Sequence, residues 1–284
     1  MVFLFQKKLI LRGSKVVQII EIYDKNSDLR VHNKNLFKTM EKYFSKFPAE
    51  YRKLYDRHLK TLQIFKCDRL DDEYTDGMYE EAANIIFFTK NKVLGHEVFH
   101  MSSFDEDKCV AAFESDLGCE GALLEGMTEY SHMMAFGLKQ PGSYPFEVFS
   151  AQMLDTIPNL FEPYFIPNHD KFISLFPNKK DIYNLMFSLA EYGEEEGKFW
   201  LHVDNGMEGR YPGINLLRGN IRKTIDNLIT IELSFRKDNA ALKEYGNKFM
   251  DIIGSGRICD ELTELYPNYY DYAEKRIKER ILKR

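Results

Sequence analysis

The chain has 284 residues, of which 44% are hydrophobic and 29% are charged, as is typical of a globular protein that buries a full core. Its net charge of −5 argues against nucleic-acid partners, because proteins that bind nucleic acid normally carry a basic face. No stretch approaches the roughly 20 apolar residues of a membrane helix, so we expect a soluble protein without a membrane partner.

The start of the chain, MVFLFQKKLILRG, is apolar but becomes charged too soon for a secretory signal. We therefore expect a cytoplasmic location, with export by an unusual route as the alternative. The four cysteines are scattered without a CxxC pair, which is typical of reduced thiols in a cytosol. A bridge between Cys109 and Cys119 is the alternative in an oxidising compartment.

The first hundred residues predict strands and helices in alternation. Two stretches rich in Leu, Ile and Val, at 4–13 and 15–24, predict a β-hairpin. Apolar residues at helical spacing predict a helix over 33–47, and short β-rich runs predict strands over 61–67 and 82–89. A buried helix with the sequence KVLGHEVFHMSS follows.

The rest of the chain is predicted to be mostly helical. After the polar loop SSFDEDKC, a second buried helix is expected over 121–138. Six prolines between Gln140 and Pro177 predict short helices that alternate with turns. Longer helices are predicted over 180–193, 213–235 and 240–254, and in the tail.

These elements predict an α+β fold with two subdomains. Residues 1–106 would form a small N-terminal α/β subdomain, and residues 107–284 a larger helical one. The KVLGHEVFHMSS helix lies at the join, and its sequence raises the question of function.

HEVFH places His96 and His100 four residues apart, and residues at that spacing share one face of a helix. Two imidazoles can therefore reach one metal ion. Glu97 is one residue round the helix, where it can act on a water at the metal without being a ligand. This pattern is HExxH, in which the histidines bind zinc and the glutamate is the general base.

A catalytic zinc needs a third protein ligand and one open position. A ligand shortly after His100 is not supported, because Ser103 and Glu106 occupy the positions of the required glycine and ligand. The later helix supplies Glu125 on an otherwise apolar face. We assign Glu125 as the third ligand, with Glu129, one turn later, holding the outer nitrogen of a zinc-binding histidine. Gly126 would let the two helices approach closely.

HEVFH followed by EGMTE resembles the gluzincin group of zinc metallopeptidases. The resemblance covers about residues 82–137, and Leu124 departs from the asparagine usual before the third-ligand glutamate. It implies a zincin-like fold, a Zn²⁺ cofactor and a peptide or protein substrate. It also implies that the strand before the zinc helix is an exposed edge that binds substrate, here Asn84, Ile85 and Ile86 in the stretch 84–88.

The resemblance implies hydrolysis of peptide bonds by a zinc-activated water, with Glu97 as general base. The oxyanion then needs a further donor, and five residues stay open for that role: Tyr130, His132, His202, Arg210 and Tyr211. We select His132, seven residues after Glu125 on the same helical face, and Tyr211, in a turn-rich loop. The histidines His32, His58 and His169 have no partner pattern and are predicted to lie on the surface.

Two other functions remain open. One is a zincin-fold binding or regulatory protein with weak hydrolysis, although the complete set of base and ligands disfavours it. The other is a helical interaction protein in which HExxH is coincidental. The sequence does not specify the oligomeric state.

Overall fold

The computed structural model describes residues 34–67, 70, 75–207 and 210–282, together with the strand backbone at 9–10, 16–17 and 19–23. This part of the chain is rich in helix and contains a small mixed sheet, in agreement with the predicted α+β class. None of its helices is long and apolar enough to cross a membrane. Its four cysteines are free, as predicted.

The residues cluster into two compact units. The first comprises Met1–Ala112, Ser131–Leu138 and Tyr164–Pro167. The second comprises Phe113–Tyr130, Lys139–Pro163 and Asn168–Arg284.

The described strands all lie in the first unit, and they are β1 Leu9–Ile10, β2 Val16–Val17, β3 Ile19–Tyr23, β4 Gln63–Cys67, β5 Gly77–Glu80, β6 Ile85–Phe88, β7 Phe104–Asp105 and β8 Val110–Ala111. β1 pairs with β2 in antiparallel fashion, which confirms a short hairpin. β3 was expected to belong to that hairpin, but it pairs with β4. The predicted loop SSFDEDKC contains β7, which pairs with β8 directly after the loop.

A four-stranded sheet has the order β3-β4-β6-β5. β4 and β6 are parallel, whereas β3 and β5 run antiparallel to their neighbours. The prediction that Asn84, Ile85 and Ile86 lie on an exposed edge is therefore wrong, because β6 has β4 on one side and β5 on the other. All four side chains of β6 are buried, as expected for an interior strand, whereas those of the edge strand β5 are partly exposed.

The helices of the first unit are α1 Lys34–Phe44, α2 Lys53–His58 and α3 Leu94–Ser103, with a 3-10 turn at Ala49–Arg52. Aromatic side chains from all three meet in its core. The ring centroids of Tyr43 and Phe99 are 5.2 Å apart, and those of Phe44 and Tyr55 are 5.0 Å apart. Edge-to-face and tilted pairs of this kind stabilise the position of α3.

The remaining helices are α4 Gly121–Phe136, α5 Pro145–Leu154, α6 Glu162–Phe165, α7 His169–Ser174, α8 Lys179–Asp204, α9 Ile214–Phe235, α10 Asn239–Ile253, α11 Gly256–Leu265 and α12 Tyr269–Ile277. The short helices between Gln140 and Pro177 agree with the prediction. α4 begins in the second unit, and its last turns from Ser131 belong to the first.

The long helices α8 and α9 form the centre of the second unit. The hydroxyl groups of Ser188 and Thr224 lie 3.0 Å apart between them, and fully buried aliphatic side chains surround this contact. α8 continues to Asp204 although Gly193 was predicted to end it. A glycine inside a helix costs only about 1 kcal/mol relative to alanine, which burial of flanking residues such as Tyr192 outweighs.

Of the lone histidines predicted to lie on the surface, His58 is buried, so that prediction is wrong, while His169 is partly buried. His58 is 1% exposed, and its Nε2 lies 3.0 Å from the Phe104 carbonyl oxygen. His169 Nδ1 lies 2.8 Å from the Phe113 carbonyl oxygen, and its Nε2 lies 3.0 Å from the Tyr183 hydroxyl. A single histidine gives no local sequence signal for burial. His32 lies outside the described residues.

Candidate metal centre

The helix α3 carries the HEVFH motif and is buried on nearly all sides. Every residue of α3 except His100 is buried, and Val98, Phe99 and Met101 are 0% exposed. Packing of these apolar side chains fixes the helix. Glu97 is only 6% exposed, so its carboxyl group lies in a site with little water, where a charged group needs a partner.

The two histidines of the motif converge. His96 Nε2 and His100 Nε2 lie 2.9 Å apart, and the ring centroids are 4.7 Å apart. This arrangement follows from the spacing of four residues along one helix face. Two nitrogens bound to one tetrahedral zinc at about 2.1 Å would be about 3.4 Å apart, so a small opening of the rings would fit the ion.

Glu125 completes a possible metal-binding triad. One ligand atom each from His96, His100 and Glu125 lies within 4.8 Å of the others, as the sequence predicted. No other group of three or more His, Cys, Asp or Glu residues in the described part of the chain meets this criterion. Two imidazoles and one carboxylate are a donor set used by catalytic zinc, so the residues present fit that ion.

The close approach of α3 and α4 depends on a different glycine from the one expected. A Cβ atom at Gly95 would lie 2.7 Å from the Nε2 and Cδ2 atoms of His132. Gly126, by contrast, faces α5, where its Cβ atom would lie 2.4 Å from the Glu147 carbonyl oxygen. The sequence showed both glycines but not which helix each one faces.

His132 lies against the start of α3. It is 7% exposed, and its ring packs edge-on against Phe136 with centroids 5.0 Å apart. Its ring atoms occupy the space next to Gly95, the residue before His96. This position is consistent with the predicted orientation of His132, while its catalytic role stays a prediction.

Gly77 controls the space around the predicted base. Gly77 is the first residue of the edge strand β5. A Cβ atom at this position would lie 2.6 Å from Glu97 Oε1 and 2.8 Å from Val93 Cγ2. The carboxyl group of Glu97 therefore packs directly against the backbone of β5. The stretch GMYE has neither a long apolar run nor a motif, so the sequence gives no signal for the role of Gly77.

Glu129 is 2% exposed, which excludes a solvated surface position. Its Oε1 accepts a hydrogen bond of 2.6 Å from the backbone N–H of Gly142. A Cβ atom at Gly142 would lie 3.1 Å from the same oxygen, so the close contact favours glycine. The predicted contact between Glu129 and a zinc-binding histidine stays a prediction.

Asn84 has a structural role at the start of β6. Its Nδ2 donates hydrogen bonds of 2.8 Å to the His58 carbonyl oxygen and the Thr61 hydroxyl, and its Oδ1 accepts one from Tyr79. Its φ of 52° lies in the left-handed region, which asparagine tolerates better than most residues. These three contacts leave its side chain engaged within the first unit.

Tyr211, the other predicted transition-state residue, is held by α8. Its hydroxyl donates a hydrogen bond of 3.0 Å to Glu195, and its ring packs against His202 with centroids 5.6 Å apart. Burial raises the pKa of the Tyr211 phenol, and the Glu195 carboxylate raises it further. In the described part of the chain, the hydrogen bond and the ring pairs of its side chain are made with residues of α8.

Two of the remaining candidates also have local partners. The Tyr130 hydroxyl donates a hydrogen bond of 2.8 Å to Asp155, and Arg210 donates one of 2.9 Å to Asn215. Burial raises the pKa of the Asp155 carboxyl group, and the bond from Tyr130 opposes that shift. The Tyr130 hydroxyl and one N–H of Arg210 are therefore used within the second unit.

Comparison with protein-family models, with curated proteins and with solved structures finds no match to this chain. The chemistry of the site is therefore inferred from its own residues.

Proposed function

We propose that the protein is a zinc-dependent metallopeptidase with a zincin-like fold, which hydrolyses peptide bonds in a cytoplasmic peptide or protein. The observation that carries the proposal is the convergence of His96, His100 and Glu125. A coincidental HExxH pattern gives no reason for a carboxylate from a separate helix to meet the two histidines.

In this proposal His96, His100 and Glu125 hold the zinc ion and Glu97 moves protons. Zinc held by these residues would act as a Lewis acid on the scissile carbonyl and lower the pKa of water. The Glu97 carboxylate accepts a proton from the attacking water and passes it to the leaving amine. Burial of Glu97 supports this role, because a carboxylate shielded from bulk water exchanges its proton within the site.

We place the substrate along β5, in place of the strand that the sequence suggested. β5 is the edge strand beside β6, and an edge strand can pair with an extended peptide by main-chain hydrogen bonds. The packing of Glu97 Oε1 against Gly77 brings this edge to the predicted base. A peptide paired with β5 would therefore run past the carboxyl group that transfers the proton.

The first test is the zinc content per chain, measured by elemental analysis on protein purified without a chelator or a histidine tag. We expect about one zinc in the wild type and a substantial loss in Glu125→Ala. Glu244→Ala is the matched control, because Glu244 is an exposed glutamate on α10. Absence of zinc from the wild type would refute the proposal, and full zinc in Glu125→Ala would refute the assigned third ligand.

The second test is cleavage of a peptide library by the zinc-loaded protein. We expect Glu97→Gln to abolish cleavage while the zinc content stays at the wild-type level, because the substitution removes the base but no ligand. Zinc without cleavage in the wild type would indicate a zincin-fold binding protein. Cleavage that survives Glu97→Gln would refute the assigned base.

A further inference from the structure

The second unit contains a pocket of about 400 Å³ between α5, α8 and α11. Five carboxylate side chains and one arginine line it. Acidic groups therefore outnumber basic ones in a space that is large enough for a small organic group.

Glu147 lines this pocket and is the most deeply buried of its carboxylates. It lies in the first turn of α5 and is 5% exposed. Its carboxylate accepts a hydrogen bond from its own backbone N–H, and no other residue in the described part of the chain donates to it. Burial raises the pKa of the Glu147 carboxyl group well above its ordinary value, and the Glu261 charge adds to this shift. A buried carboxylate with a single hydrogen bond and no positive partner is costly, and a cation in the pocket would supply that positive partner.

Two of the other four carboxylates are partly buried, and the walls also carry the only tryptophan of the chain. Glu196 and Glu261 are partly buried, and burial raises the pKa of the Glu261 carboxyl group to about 7. Trp200 donates its indole N–H to Glu196, and Tyr192 donates its hydroxyl to Glu261. These bonds fix the orientation of both acids, and the aromatic face of Trp200 offers a favourable surface to a cation.

No three of the pocket carboxylates bring their oxygens within 4.8 Å of one another. Among the described residues, only the triad of α3 and α4 brings three ligand atoms within 4.8 Å of one another. A pocket with dispersed carboxylates and an aromatic wall suits a larger cation, such as an ammonium or guanidinium group on an alkyl chain. The one arginine, Arg257, donates to the carbonyl oxygens of Pro141 and Gly142.

The pocket adjoins the part of α4 that carries the third metal ligand. Gly126, the residue after Glu125, packs against the backbone of Glu147, and the Glu125 charge contributes to the raised pKa of Glu147. Gly142 makes a second connection, since its N–H donates to Glu129 while its carbonyl oxygen accepts from Arg257. A peptide whose scissile bond lies near Glu125 could therefore extend one cationic group into the pocket.

We infer that the pocket lined by Glu147, Glu196, Glu261 and Trp200 binds an organic cation of a peptide substrate, either a lysine or arginine side chain or a free N-terminal amine. The link to a substrate rests on the proposed peptidase function, whereas binding of the cation does not. The two parts are therefore tested separately.

Trp200 reports binding directly, because no other tryptophan contributes to the fluorescence of the chain. The full chain is titrated with three compounds at constant ionic strength, with and without a chelator. N-acetyl-argininamide carries only the side-chain cation, norleucinamide carries only the α-amine, and N-acetyl-norleucinamide carries neither. We expect a saturable change with one of the two cations, with about tenfold or greater preference over the neutral compound.

The variants Glu147→Gln and Glu261→Gln test whether these carboxylates are responsible. Each should weaken the binding of the cation about tenfold or more, while Glu244→Gln should leave it unchanged. Circular dichroism is used to check that each variant is folded. If Glu147→Gln does not fold, Glu261→Gln alone carries the test. No saturable change, an equal response to all three compounds, or undiminished binding in both folded variants would overturn the inference.

The second part compares the cleavage of peptides that are otherwise identical. One peptide carries an arginine, one carries norleucine in its place, and one has an acetylated N terminus. We expect kcat/KM to be higher for the peptide that carries the cation selected in the fluorescence titration than for the peptide that lacks it. The ratio of these two kcat/KM values should fall about tenfold in Glu261→Gln. Cation binding without any cleavage would overturn the peptidase proposal and leave the pocket as a cation site. Zinc-dependent cleavage without a preference for the cation would overturn the substrate role of the pocket.

Discussion

Substitution of Gly126 by alanine tests the packing that positions Glu125. The added Cβ atom would lie 2.4 Å from the Glu147 carbonyl oxygen and 2.5 Å from its carbonyl carbon, whereas ordinary contacts begin at 3.4 Å. The obstacle is backbone, so it cannot rotate away. α4 and α5 would therefore have to separate by about 1 Å, and overpacking of this kind costs about 1–3 kcal/mol.

Gly219 provides the matched control, because it also lies inside a helix of the second unit and a Cβ atom there would meet nothing within 4 Å. Alanine favours either helix by about 1 kcal/mol over glycine. The difference between the two variants therefore isolates the steric cost. We expect Gly219→Ala to raise the free energy of unfolding and Gly126→Ala to lie about 1–3 kcal/mol below it.

Urea denaturation followed by circular dichroism measures this difference, provided that the two variants unfold with the same denaturant dependence. Zinc content measured on the same samples should fall in Gly126→Ala, because Glu125 moves with its neighbour. Equal denaturation midpoints for the two variants would refute the close packing of α4 on α5. Full zinc in a destabilised Gly126→Ala would refute the link from this packing to the metal ligand.

Three further predictions follow from single residues. Gly77→Ala should displace the Glu97 carboxyl group and lower kcat/KM at least about tenfold at unchanged zinc content. Full activity would contradict the clash expected at 2.6 Å between the added Cβ atom and Glu97 Oε1. Asn84→Ala should lower the free energy of unfolding by about 2–4 kcal/mol, because three hydrogen bonds are lost and alanine disfavours a φ of 52°. Urea denaturation measures this loss, and a loss below about 1 kcal/mol would contradict the prediction. The pKa of the Glu261 carboxyl group is about 7 in the folded protein, against an ordinary value of 4.5. Between pH 4.5 and 7 the folded state therefore binds more protons than the unfolded state, and the free energy of unfolding should fall as the pH rises through this range. Urea midpoints measured across the range should show this fall in the wild type, and an identical fall in Glu261→Gln would exclude Glu261 as its cause.

Most of the longer helices and the residues of the metal triad could be predicted from the sequence because their signals are local, whereas the short helix α2 was not predicted. Apolar periodicity predicted α9 and α10 to within one residue, and the spacing of the histidines determines which face of α3 they share. The edge of the sheet could not be predicted in this way. β5 is a strand because it pairs with β6, and four residues of mixed character carry no comparable pattern.

The pocket in the second unit was also beyond prediction, since its walls come from three helices that are far apart in the chain. Glu147, Glu196 and Glu261 each resemble an ordinary helix-surface glutamate in sequence. Only the packing of α5, α8 and α11 buries them together. The same reason applies to Gly95, whose contact with His132 depends on how α3 meets the last turns of α4.

Gly142 has both of its backbone polar groups in use, one toward the buried acid Glu129 and the other toward Arg257 at the pocket. Arg257 also donates to the Pro141 carbonyl oxygen, which belongs to the same peptide unit as the Gly142 N–H, so a ligand that draws Arg257 away acts on the unit that holds Glu129. Thermodynamic linkage makes such an effect reciprocal. Whatever factor zinc applies to the affinity for an organic cation, the cation must apply to the affinity for zinc.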